Sequence, residues 1–255
     1  MFGPKNIVTR QSARVPEGVR PIIGSRVIVE YLPRYMTPAV SVNRALAPLN
    51  AVAPSVPVQP YAGLGGPRGL PYLSFMGSSF NQLAPVASLG TESKLCTLAV
   101  VRCLQQTPPT GTVLSLIRDP ASAQVYHQTG WTTNVGGFPA QFASYRKDGT
   151  SLIYAPVNIV KDEWMVLISE EDTGITRSEV HTLSGLHNTA VSAGTTPAFT
   201  TTTFGAGTNL YLGFGGGGCS QHELAYFSLW TGGLSAAERA RIGRWTRSYF
   251  GIPLA

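Results

Sequence analysis

From about residue 61 onward, short apolar or alternating runs follow one another, separated by Gly, Pro, Asn and Asp. Period-two alternation between such breakers is the pattern of half-buried strands. It predicts strands near 72–76, 94–104, 112–118, 123–127, 140–146, 151–154, 164–169, 177–183, 209–214 and 223–230. Lys147-Asp148-Gly149 between two of these runs predicts a tight hairpin turn. The period changes only at the end. Ser235 followed three residues on by Glu238 is a capping box, and Ile242, Trp245 and Tyr249 then share one face at i, i+3, i+7 spacing. A helix is predicted over 235–250, with its Ile/Trp/Tyr face on the strands and its arginines outward; Gly251 stops it and Pro253 follows. Many short strands at this spacing indicate a β-sandwich or barrel.

Residues 1–60 show no comparable period. One short strand is expected at 26–31, and 47–60 (APLNAVAPSVPVQP) reads as extended, partly polyproline-like chain. Charge divides at nearly the same point. Residues 1–90 carry 8 basic and 2 acidic residues, whereas 91–255 carry 11 of each, so the whole net charge of +6 sits at the front. Arg10, Arg14, Arg20, Arg26, Arg34 and Arg44 are spaced among prolines. Without lysine clusters or interleaved aromatics they are too diffuse for a nucleic-acid surface, so nucleic acid is not an expected partner. The apolar residues among them (Ile22, Ile23, Val27, Ile28, Val29) favour an arm that lies on another protein. Charged residues are only 13% of the chain, about half the usual share. That suits a surface largely covered by neighbours, hence a homo-oligomer or larger assembly. No apolar run is long enough to span a membrane, and no apolar h-region follows the N-terminus, so neither membrane insertion nor a signal peptide is expected.

Cys96 and Cys103 fall on one predicted strand. Seven residues of strand span roughly 23 Å and put the two on opposite faces, so they cannot pair. With Cys219 the count is odd and lacks CxxC spacing, which favours free thiols; a bridge from Cys219 to one of the others stays open. His127, His181, His187 and His222 lack zinc spacing. Gly213–Gly218 formally fits GxGxxG, but strand-like sequence follows it where a phosphate cradle needs a helix, so it reads as a hairpin. Neither a nucleophile elbow nor a persuasive Cys/His pair is present.

The stretch from Trp164 (EWMVLIS), through Asn209–Gly215 (NLYLGFG) and His222–Trp230 (HELAYFSLW), ends in Leu234-Ser235-x-x-Glu238-Arg239 and Tyr249-Phe250-Gly251-Ile252-Pro253. This resembles the closing half of concanavalin A-like, laminin-G-like jelly rolls, of the kind found in virion proteins of tailed bacteriophages. The resemblance covers 61–255 and is most specific over 205–254. It implies an all-β, two-sheet antiparallel jelly-roll sandwich with a C-terminal helix at 61–255, preceded by an extended N-terminal arm at 1–60. The group includes lectins, glycan hydrolases, adhesion modules and virion components, so fold alone does not fix function.

Hydrolases of this fold carry spaced carboxylates on one strand face. Here Glu170-Glu171-Asp172 are contiguous and Asp162-Glu163 precede Trp164; both groups are expected as solvated strand ends, so no catalytic residue is assigned. Relatives often bind calcium, for which Asp119, Asp148 and Asp172 are candidates by residue type only. No DxDxDG-like loop exists, so neither a metal nor a cofactor is expected. Tyr126, Trp131 and Asn134 lie in a loop-like stretch rich in Thr and Gly, and Tyr145 flanks the Lys147–Gly149 turn. Such aromatics could stack on a sugar ring while amides bond its hydroxyls. The expectation is a non-catalytic structural component of a bacteriophage virion, in tail, baseplate or capsid decoration, assembled in the host cytoplasm. It is anchored by its arm to other virion proteins. A glycan-binding module recognising a host cell-surface glycan is the alternative, and a glycan hydrolase is third.

Overall fold

The structure is a computed structural model that describes residues 27–31, 61–63, 65–75, 81–83, 91–92, 94–104, 112–118, 125–132, 141–148, 151–154, 157–172, 175–193, 202–203, 209–212 and 222–254. Its strands, in chain order, are β1 (Val27–Tyr31), β2 (Tyr61–Gly63), β3 (Tyr72–Phe75), β4 (Asn81–Leu83), β5 (Thr91–Glu92), β6 (Leu95–Cys103), β7 (Thr112–Arg118), β8 (Val125–Thr132) and β9 (Gln141–Asp148). They continue with β10 (Ser151–Tyr154), β11 (Val157–Asn158), β12 (Trp164–Asp172), β13 (Ile175–Thr182), β14 (Gly185–Ala193), β15 (Thr202–Thr203), β16 (Asn209–Leu212) and β17 (His222–Thr231); one helix, α1 (Ala236–Phe250), follows. The architecture is all-β with a single C-terminal helix, as the periodicity predicts.

The first sheet has eight strands in the order β14-β13-β12-β6-β17-β3-β2, with β1 also paired to β17. A second sheet of seven strands runs β10-β9-β8-β7-β16-β4, with β11 on β9, and β5 pairs β15 separately. Every strand pairing within them is antiparallel. One apolar core joins the two sheets. Leu73, Phe75, Leu95, Val101, Leu167 and Phe227 of the first meet Phe142 and Leu212 of the second.

The other face of the first sheet is apolar too. Leu98, Val100, Val166, Ile168, Tyr226 and Trp230 form a second core with Ile242, Trp245, Tyr249, Phe250 and Ile252 of the helix and the chain just beyond it. Strand alternation explains the division, since successive residues point to opposite faces. Cys96 and Cys103, both buried, accordingly lie in different cores. Because the helix covers this outer face, β6 and β17 are buried along nearly their whole length.

Helix α1 begins where its sequence says. Ser235 Oγ accepts from the Glu238 backbone N–H at 3.3 Å, and Glu238 Oε2 accepts from the Ser235 backbone N–H at 2.9 Å, completing the capping box. It ends at Gly251, whose φ of 80° is the left-handed cap that favours glycine. Arg68 donates to the Ser248 carbonyl at 2.8 Å, placing a cation at the negative end of the helix. The aromatic face is tightly engaged: Trp245 lies 4.7 Å from Tyr226 and 5.4 Å from Tyr249 between ring centroids, the latter pair stacked.

Three expectations change. The stretch expected as a loop around Trp131 is strand as far as Thr132. β14 was not expected, because Gly185-Leu-His-Asn-Thr-Ala-Val-Ser-Ala lacks clear alternation. Glu170 and Glu171, expected as solvated, are not: both lie within β12, Glu171 buried and Glu170 half-buried. Replacing Trp245 by Ala should cost about 3–5 kcal/mol, because it empties the centre of the second core. A denaturant titration compared with wild type measures this.

Candidate functional site

The helix-bearing face of the first sheet holds most of the polar chemistry of the described residues. Glu170 on β12, Glu179 and His181 on β13, and Arg239 in the first turns of α1 converge at one end of it. Arg239 donates from Nη1 to Glu179 Oε2 at 2.7 Å and from Nη2 to Glu170 Oε2 at 2.8 Å. His181 Nε2 donates to the same Glu179 oxygen at 3.1 Å. Glu170 Oε1 accepts from the Leu234 backbone N–H at 2.9 Å, tying the chain just ahead of the helix to β12. Arg239, expected to face outward, is thus turned toward the sheet.

The electrostatics follow from this geometry. Burial by itself pushes the Glu179 carboxyl up, but hydrogen bonds from His181 and Arg239, with their charges, outweigh it and hold it down at about 2, from 4.5. Arg239 is likewise held above its ordinary value: burial lowers it, but the bonds to Glu179 and Glu170 prevail. A carboxyl ionised down to such pH cannot donate a proton at neutral pH, which excludes Glu179 as a glycosidase general acid.

A second polar seam lies along the same face. Arg102 on β6 pairs with Glu223 on β17, and its guanidinium sits 5.1 Å from the centroid of the Trp164 ring. Tyr72 meets that ring edge-on at 5.8 Å. Trp164 would otherwise suit stacking on a sugar, but Arg102 occupies its face. Nearer the middle of β17, the Tyr226 hydroxyl donates to Glu30 at 3.0 Å inside the protein, fastening β1 to the sheet. The buried carboxylates Glu30, Glu171, Glu179 and Glu223 and the half-buried Glu170 therefore all have partners.

The aromatic set is distributed over two strands of the second sheet. Trp131 of β8 is in register with Phe142 of β9, and Tyr145 with Gln128. Alternation then puts position 131 on the face of the core residue Phe142 and position 145 on the opposite face, whereas position 126 is the extra residue of a bulge against β7. β8 and β9 therefore put positions 131 and 145 on opposite faces and do not gather the set on one of them. Asn134, Asp119, Cys219, Gly213–Gly218 and Arg10, Arg14, Arg20, Arg26, Arg34 and Arg44 lie outside the described residues. Asp148 ends β9 opposite Ser151, and Asp172 ends β12 opposite Ile175. His181 and His222 are buried, and His187 is exposed on β14. Among the described residues no group of three or more His, Cys, Asp or Glu is placed to hold a metal ion, and no helix is long and apolar enough to cross a membrane. The Arg239 cluster was missed from sequence because its members are up to 69 residues apart; the capping box fixed the helix but not what its arginines reach.

No model of a known protein family matches the chain, and no curated protein sequence matches it. Among solved structures, it is similar to a Trypanosoma rangeli sialidase, at 12% identity and TM-score 0.54, over 90% of this chain and 34% of that one. It is also similar to tailspike protein 2 of an Escherichia coli O157:H7 bacteriophage, at 12% identity and TM-score 0.47, over 77% of this chain and 27% of that one. A third is the exoplasmic/lumenal domain of VIP36 in a Ca2+/Man3GlcNAc-bound form, at 11% identity and TM-score 0.40, over 69% and 83%. The chain spans about a third of the sialidase and about a quarter of the tailspike. The sialidase likeness is one of fold alone, and it agrees with a β-sandwich.

The Glu179 carboxyl stabilises the fold because its value is depressed. That contribution is complete above its ordinary value near 4.5 and is lost as pH falls toward about 2. Thermal melts of wild type and Glu179→Gln should therefore differ most at neutral pH, and the gap should close between pH 4.5 and 2. Arg239→Met should cost about 3–5 kcal/mol at pH 7, because two carboxylates then lose their shared cation.

Proposed function

We propose that this chain is a non-catalytic structural component of a bacteriophage particle. Its sandwich, of the concanavalin A-like jelly-roll kind, is displayed outward, and its basic front segment anchors it to other virion proteins. The observation that carries this reading is the seating of β1. Val27–Tyr31 is a strand of the first sheet, bonded through Glu30 to Tyr226, so the chain is held at a fixed place beside β17 directly after its basic front residues. An anchor needs that kind of attachment. Residues 1–60 carry 7 basic and 2 acidic residues, so +5 of the net +6, which supports a division into a part that binds neighbours and a part that is shown. The engaged carboxylates support the absence of catalysis. Tail, baseplate and capsid decoration are all compatible with this chemistry.

A second reading, recognition of a host cell-surface glycan, rests on Tyr126, Trp131, Asn134 and Tyr145. The cross-strand pairing of Tyr145 with Gln128, an aromatic opposite an amide, favours it.

A variant lacking residues 1–26 keeps β1, so it should melt as wild type does yet be absent from assembled particles. Full incorporation, read by quantitative blotting of purified particles, would refute the anchor. For the second reading, binding of the intact chain to a panel of host polysaccharides should fall at least about tenfold, near 1.4 kcal/mol, in Tyr145→Ala. Release of reducing ends from that panel by the wild-type chain would overturn the non-catalytic assignment.

A further inference from the structure

β14 is the last strand of the first sheet. One side of it is bonded to β13, from Ile175↔Ala193 to Thr182↔Gly185; among the described residues, no strand pairs its other side. Sheet edges in soluble proteins are usually defended against further pairing by Lys, Pro or inward charges. β14 has no charged residue or proline: its nine residues, Gly-Leu-His-Asn-Thr-Ala-Val-Ser-Ala, contain no Lys, Arg, Asp, Glu or Pro, and its one irregularity is a bulge near its start. The exposed large hydrophobics among the described residues all belong to this hairpin. Leu183 in its turn is 61% exposed, and Leu186 and Val191 on β14 are 48% and 50% exposed.

A bulge sets which residues share a face. Val180 is opposite Asn188, but His181 is opposite Leu186, so His187 is the extra residue. Leu186, Thr189 and Val191 are consequently the register partners of His181, Glu179 and Arg177, and they fall on one face.

This pattern is complementary to itself. Set against a second β14, antiparallel about Thr189, it brings Val191 of each copy opposite the Leu186–His187 bulge of the other. Thr189 then faces Thr189. Both exposed aliphatic side chains of each copy gain an apolar neighbour, and Thr–Thr is a favourable cross-strand pair. A one-residue shift would put those aliphatic side chains on opposite faces. The absence of charge also matters. A chain of net charge +6 repels its own copies, but this strand adds no like-charge contact at the join. A two-fold pairing is closed, and it leaves neither β14 edge open.

We propose that β14 is a homodimer interface, through which two copies of the chain join their eight-stranded sheets edge to edge. The inference is independent of the anchoring role of the front segment. Sedimentation equilibrium of the full chain should give twice the 27.1 kDa monomer mass. Val191→Lys should weaken dimerisation at least about tenfold, while its melting profile matches that of wild type at dilutions where both are monomeric, because the side chain is exposed in the single chain. Thr189→Cys should form a covalent dimer on mild oxidation, whereas Leu183→Cys, at the turn and far from the two-fold axis, should not. A wild-type chain that stays monomeric at its highest soluble concentration overturns the proposal. So does an oligomer that Val191→Lys leaves intact, or one that Leu183→Cys cross-links as readily as Thr189→Cys.

Discussion

Burial of β17 on both faces is the constraint that the remaining architecture answers. Nine of its ten residues are buried, and the apolar ones divide between two separate cores, Leu224, Phe227 and Leu229 in one and Ala225, Tyr226 and Trp230 in the other. A strand with apolar side chains on both sides needs a layer on each. The second sheet supplies one and the C-terminal helix the other. Without Trp245, Tyr249 and Phe250, the outer face of β6, β12 and β17 would present a broad apolar surface to water. The helix is therefore a third layer of the fold, and its capping box and Gly251 stop fix its length to match the patch that it covers.

Arg239 orients that layer. The apolar face of α1 could slide or rotate on the sheet at little energetic cost, because dispersion contacts are individually weak. A guanidinium held by one carboxylate from β12 and another from β13 allows few alternatives, since any rotation of the helix would strand two partly buried acids. Buried ion pairs are weak evidence for net stability and better understood as fixing an arrangement. Leu234, bonded to Glu170, extends the same constraint to the chain entering the helix.

Much of the fold could be read from local sequence. The boundaries of β7 and β10 coincide with their alternating runs, and the helix with its capping box, because in each case neighbours in sequence determine the structure. β14 escaped notice because none of its described residues is fully buried, so neither face demands an apolar row, and its bulge at His187 interrupts the period. The polar seams were hidden for a different reason. Glu170, Glu179 and Arg239 look like ordinary surface charges until the helix folds back, and only the tertiary register reveals that they are partners. The aromatics around Trp131 were legible as residue types, but the register of β8 against β9 decides which of them share a face.

The course of β1 has a mechanical consequence. β1 and β3 lie end to end along the same edge of β17, the first against residues 227–230 and the second against 222–224. A pull directed along β1 is therefore delivered along the axis of a strand at the centre of the sheet. The ladder bonds between β1 and β17 are loaded together, in shear, with the Glu30–Tyr226 bond beside them. A tether attached in this way transmits force into the most deeply buried strand of the protein without first peeling its edge.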